Sequence, residues 1–126
     1  MGLVHLRVVV GGHCTVVRVA GEIGFRDADL VEARVVAAWA AGGAAHLVVD
    51  LSDVPICDSA GRAALVRLLL RVRRTGGRLV LAGVAPRLAR HLHVAGLLGW
   101  FEVCGTADEA VARVREPYGG ERGEQG

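Results

Sequence analysis

The chain has 126 residues, enough for one domain with a core of its own. Hydrophobic residues make up 52% and aromatics only 4%, so the core is built from Val, Leu and Ala, and there are too few rings for a base-stacking nucleic-acid surface. All 15 cationic side chains are arginine, and a net charge of +2 is too small to argue for a nucleic-acid partner.

Residues 3–10, rich in Val and Leu, predict a strand, and Gly11-Gly12 a hairpin turn. Residues 15–20 predict a second strand, antiparallel to the first. Gly21-Glu22-Ile23-Gly24 breaks the pattern. Asp27 stands as N-cap of a helix over about 28–41, with Leu30, Val31, Ala33, Val35, Ala38 and Trp39 apolar and Gly42-Gly43 as its stop. Residues 46–51 form an apolar run without alternation, as expected of a central strand covered on both faces. A helix over 60–74 carries Leu65, Leu68, Leu69 and Val72 at i, i+3, i+4 and i+7 and stops at Gly76-Gly77. Residues 78–82 predict another strand. Pro86 opens a helix that runs to about 95. Residues 101–104 predict a short strand, and Thr106 caps a last helix with Asp108 and Glu109 in its first turn, ending near 115.

The order is β-β-α-β-α-β-α-β-α, an α/β fold in which helical crossovers impose parallel pairing. Residues 1–116 read as one domain. Residues 117–126 hold four glycines and no aliphatic side chain after Tyr118, the composition of a disordered tail. The longest uncharged stretch, 35–49, contains Gly42-Gly43 and is too short to span a membrane, and no signal-peptide pattern is visible at the N-terminus.

The chemistry concentrates at Asp58-Ser59, where an apolar strand gives way to a helix. A serine there holds its hydroxyl in water at the positive end of a helix dipole, a good place for a phosphate. Its position alone is equally that of a plain helix cap. The other nucleophile motifs are missing. Ser59 lies outside any Gly-x-Ser-x-Gly and has no His within ten residues. Cys57, at a strand end, reads as a buried, inert thiol. Cys14, Cys57 and Cys104 form no CxxC pair, so neither zinc nor redox chemistry is supported, and three unpaired thiols fit a reducing cytoplasm. His91 and His93 lie about 200° apart around their helix and cannot share a metal, and His5, His13 and His46 make no ligand pattern. No phosphate-cradling glycine motif is present. No metal or cofactor is expected. Arg67, Arg71 and Arg74 form a basic stripe opposite the leucines, read as a solvated face.

Four stretches in order give the chain its resemblance. They are Val17-Arg18-Val19-Ala20-Gly21-Glu22-Ile23; Val48-Val49-Asp50-Leu51-Ser52-Asp53-Val54; Asp58-Ser59-Ala60-Gly61 with its helix; and Gly76-Gly77-Arg78-Leu79-Val80-Leu81-Ala82-Gly83, followed by Val94-Ala95-Gly96-Leu97 and Phe101-Glu102-Val103. With this order the chain resembles the STAS domain of anti-sigma factor antagonists and sulfate transporters over nearly its whole length. The resemblance implies a mixed sheet of four to five strands with helices mostly on one side. It implies a non-enzymatic protein that binds an anti-sigma factor, itself a serine kinase of the histidine-kinase-like ATPase type, and so releases a sigma factor. Phosphorylation at Ser59 would abolish that binding and a phosphatase would restore it. The partner surface carried over is Asp58, Ser59, Gly61 and Arg62, with Glu22 and Asp27 near the same edge; Arg62, three residues on, is placed to touch the phosphate.

The chain departs from the family pattern in four places: Gly24 stands for a usual Asp, Pro55 for Thr or Ser, Ala60 for a second Ser and Arg62 for Leu. Two other functions are open at this point. One is an unphosphorylated STAS module of a larger signalling assembly, and the other is a small Ser59-dependent hydrolase or transferase. Direct nucleic-acid binding and a membrane span are not expected, and a monomer and a dimer are both compatible with the sequence.

Overall fold

The computed structural model describes residues 4–115 except 12 and 25; the tail expected over 117–126 lies outside the described residues. Five strands form one sheet: β1 (His5–Val10), β2 (Cys14–Ala20), β3 (His46–Asp53), β4 (Leu79–Ala82) and β5 (Glu102–Cys104). They stand in the order β1-β2-β3-β4-β5. The hairpin makes β1 antiparallel to β2, and every later pair is parallel. Helices α1 (Ala28–Gly42), α2 (Ser59–Arg74), α3 (Pro86–Val94) and α4 (Ala107–Arg115) alternate with the strands, and a short 3-10 turn (Leu98–Trp100) precedes β5. The mixed sheet and element order are those expected of the STAS fold.

The sheet is covered on both faces, unequally. Val17, Val19, Leu47, Val49, Leu51, Leu79 and Leu81 face α1, α2 and α3 in the larger core, joined by Leu65, Leu68, Leu69 and Val72 of α2 and Leu88 and Leu92 of α3. The alternate residues Cys14, Val48, Val80, Ala82 and Cys104 meet Ala110 and Val114 of α4. Three helices on one side and one on the other explain why β3 and β4 read as unbroken apolar runs: both sets of side chains leave water.

The helix ends follow local chemistry. α1 stops at Gly43, whose φ of +75° is the left-handed conformation glycine takes at little cost. At α4, Thr106 Oγ1 accepts from the N–H of Glu109 at 3.1 Å while Glu109 Oε1 accepts from Thr106 N–H at 3.3 Å and also from Gly105 N–H at 2.9 Å, the reciprocal box that Thr106 predicted. Asp27 sits at the N-cap position of α1, but its side chain makes no capping hydrogen bond. Leu30, expected on the buried stripe of α1, is 53% exposed. The buried face of that helix is Ala28, Val31 and Val35 instead.

The basic stripe of α2 also differs from a simply solvated face. Arg67 Nε donates to Glu32 Oε1 at 2.7 Å, and its Nη2 lies 3.6 Å from Asp29 Oδ1. It ties α2 to α1 across the helix pair. The partner stands 35 residues away in sequence, so helix periodicity gave no sign of it.

Candidate functional site

The Asp58-Ser59 corner forms where β3 ends and α2 begins, and the Gly21–Gly24 segment is stitched beside it. Asp58 N–H donates to Ile23 O at 3.3 Å, and Ile23 and Cys57 form an isolated parallel bridge. Asp58 is extended (φ −82°, ψ −172°), and its Oδ1 accepts from Gly61 N–H at 3.0 Å. Asp58 is therefore the N-cap of α2, and Ser59 is the first helical residue. The plain-cap reading of Ser59 is corrected by one position: the short carboxylate of Asp58 reaches the orphan amide two residues into the helix, and the serine hydroxyl is left without that duty.

Ser59 is exposed. It opens onto a cleft of about 470 Å³ lined by Glu22, Ile23, Gly24, Ile56, Cys57, Asp58, Ser59, Arg62 and His91. Arg62 Nη1 donates to Cys57 O at 3.2 Å, which holds the guanidinium across the corner in the same cleft. Among the residues expected at the partner surface, Asp58, Ser59, Arg62 and Glu22 thus come together. Asp27 does not line the cleft; its N–H donates to Gly24 O at 2.9 Å from the start of α1. Gly61 is buried beneath the corner. A Cβ on Gly61 would stand 2.6 Å from Cys57 Cβ and 2.7 Å from Ile23 O, so the position needs glycine for close packing of α2 on the β2–α1 segment.

In the sequence His91 stands out only as a histidine that cannot share a metal with His93. It is half-buried and joins the cleft from α3. The only signal for it lay in Leu88 and Leu92, which face the core and turn the flank of α3 towards Arg62. Gly24 leaves room in the cleft: a Cβ there would lie 3.6 Å from Asp58 Oδ2, an ordinary contact. An acid at that position would stand beside Asp58.

Cys57 does not make this cleft a nucleophilic one. Its side chain is buried, and burial, aided by Asp58 and opposed by Arg62, pushes the thiol up to about 11. At neutral pH it is protonated and a poor nucleophile. Among the described residues no group of three or more His, Cys, Asp or Glu side chains is arranged to hold a metal ion, and no helix is long and apolar enough to cross a membrane.

A mixed sheet with this strand order and these alternating helices is that of a STAS-type α/β domain. The family model described as STAS domain matches residues 5–110, and the chain belongs to that family. It is a regulatory protein rather than an enzyme. The chain is similar to an anti-sigma factor antagonist from Mycobacterium paratuberculosis, at 31% identity over 90% of this chain and 96% of that one, with a TM-score of 0.74. A Thermotoga maritima structure shares the fold at a TM-score of 0.78, with 21% identity over 88% of this chain and 95% of that one. The Bacillus cell fate determinant SpoIIAA in its phosphorylated form shares it at a TM-score of 0.67, with 21% identity over 87% of this chain and 99% of that one.

Proposed function

We propose that the chain is an anti-sigma factor antagonist whose binding surface is the Ser59 cleft and whose off-switch is phosphorylation of Ser59. The observation that carries this reading is the division of labour at the corner: Asp58 caps α2, and the Ser59 hydroxyl is exposed at the cleft mouth with no capping duty. Likeness to the mycobacterial antagonist over nearly the whole of both chains supports the partner class.

In the unphosphorylated state the surface around Asp58, Ser59, Arg62 and Glu22 docks on an anti-sigma factor, a cytoplasmic serine kinase of the histidine-kinase-like ATPase type. The docked kinase no longer holds its sigma factor. Transfer of the γ-phosphoryl group of ATP to Ser59 Oγ then adds about −1.5 to −2 charges and three acceptor oxygens to the interface. Close to Asp58 and Glu22, that charge repels an acidic partner face and costs desolvation on any face. Arg62 and His91 flank the phosphate on its own protein. A phosphatase restores the binding-competent hydroxyl.

The test is incubation of the chain with ATP and each ATPase-type kinase of the same cell, followed by mass spectrometry and binding measurements. Phosphate is expected on Ser59, and Ser59→Ala should bind the kinase but take up no phosphate. Ser59→Asp should bind at least about tenfold more weakly, a loss of some 1.4 kcal/mol. A kinase that binds Ser59→Asp as tightly as wild type, with Ser59 unmodified, leaves an unswitched interaction module instead.

A further inference from the structure

We propose that the chain self-associates through the free edge of β1, as a two-fold antiparallel β1–β1 pair centred on Val8. Among the described residues β1 ends the sheet on one side. It is six residues long, with no proline, no acid and no bulge, and its register with β2 runs unbroken from His5↔Ala20 to Val10↔Thr15. Val8, Val9 and Val10 are 43%, 59% and 57% exposed. Edge strands are ordinarily protected by shortness, charge, proline or a bulge. The opposite edge, β5, has that protection: it is three residues long and starts with Glu102. β1 has none beyond the single charge of Arg7.

The backbone pattern makes the edge self-complementary. Gly11 N–H donates to Cys14 O at 2.9 Å, so the pair closing the hairpin is a hydrogen-bonded one. An antiparallel ladder alternates from there. Val9, Arg7 and His5 turn their N–H and C=O groups to β2, while Val10, Val8 and Leu6 turn theirs to the open side. A second copy centred on Val8 places Val8 opposite the second copy's Val8, and Leu6 opposite its Val10. All three outward residues of each strand then exchange both their N–H and C=O groups with the other. Arg7 falls opposite the second copy's Val9, so no cation faces a cation. Centring on Arg7 would set that cation against its own copy, and centring on Leu6, Val9 or Val10 would run an outward residue past the end of the facing strand. Charge and hydrogen bonding therefore select the same register and the same occupant, another copy of this chain. The pair uses no residue of the Ser59 cleft and stands independently of the proposed switch.

Analytical ultracentrifugation of the full chain, over a concentration series into the high micromolar range, tests the proposal. Wild type is expected to approach twice the 13.2 kDa mass of one chain. Val8→Pro should weaken association at least tenfold and leave the circular dichroism unchanged. Proline there removes only an outward N–H, which an edge strand tolerates. The register is read separately from cysteine variants, since Cys14, Cys57 and Cys104 are all buried. In a hydrogen-bonded pair the Cα atoms stand about 5.5 Å apart, within disulfide reach. Val8→Cys should cross-link between copies on mild oxidation and Val9→Cys should not. A wild type that stays monomeric throughout, a folded Val8→Pro that dimerises as well as wild type, or a Val9→Cys that cross-links as readily as Val8→Cys overturns the pairing. If Val8→Pro fails to fold, the two cysteine variants decide.

Discussion

Asp58 and Ser59 are adjacent polar residues with separate work. The Asp58 carboxylate satisfies Gly61 N–H at the start of α2. The Ser59 hydroxyl is exposed and caps nothing in that turn. Removing a capping side chain costs about 1 kcal/mol, whereas an exposed first-turn serine is replaced within about 0.5 kcal/mol. Urea unfolding should therefore rank Asp58→Ala well below wild type and leave Ser59→Ala nearly level with it. Equal losses in the two variants would mean that the serine shares the capping role. A sequence shows an Asp-Ser pair in front of a helix, but which of them caps depends on where the helical dihedrals begin, and that boundary is set here by the bridge between Ile23 and Cys57. His91 was hidden for a similar reason: α3 meets the corner only after the chain has folded.

At the scale of elements, the parallel strands and their crossovers were legible because both faces of β3 and β4 are buried and the helix boundaries are marked by Gly, Pro and Thr-x-x-Glu signals. Contacts between elements distant in the chain were not. The pairing of Arg67 with Glu32 is one; the join between β3 and β4 at His46 is another. His46 Nδ1 accepts from Arg78 N–H at 3.0 Å, and Arg78 itself pairs with Glu102 Oε2 at 3.1 Å through Nε. Burial, with Arg78 and His13 adding to it and Glu102 opposing, holds His46 below its ordinary value of 6.5. The fold thus favours the neutral ring, the form whose Nδ1 can accept. Above the ordinary value both the folded and the unfolded chain carry a neutral ring, and the full contribution is present. As pH falls through it, the unfolded chain takes up a proton that the folded chain resists, and stability declines until the folded ring titrates too. Denaturant midpoints measured between about pH 7 and pH 5 should fall for wild type and fall less steeply for His46→Asn, which keeps an acceptor but does not titrate. Parallel slopes for the two proteins would assign the acid sensitivity elsewhere.

For the whole molecule, the question is whether a charge added at Ser59 acts on the fold or on its surface. α2 is anchored along its length by Leu65, Leu68, Leu69 and Val72 in the larger core, and at its start by Gly61 packed under Cys57 and Ile23. None of these contacts includes the Ser59 side chain. A phosphate there faces the positive end of the helix dipole, worth about 0.3–1 kcal/mol in its favour at an exposed site. Asp58 and Glu22 oppose it by repulsion, and solvent screens both effects. The two contributions oppose each other, and each is small against the total stability of a small domain, about 5–15 kcal/mol. Stoichiometrically phosphorylated protein should accordingly melt within a few degrees of the unmodified chain, with the same far-UV circular dichroism, while its affinity for the proposed kinase partner falls by tenfold or more. A switch that worked by loosening α2 would give the opposite pattern: a lowered melting temperature and faster amide exchange along residues 59–74, with binding lost only in proportion to the unfolded fraction. Calorimetry and hydrogen exchange on the two forms separate these cases, and the packing of α2 on both β3 and the Gly21–Gly24 segment predicts the first.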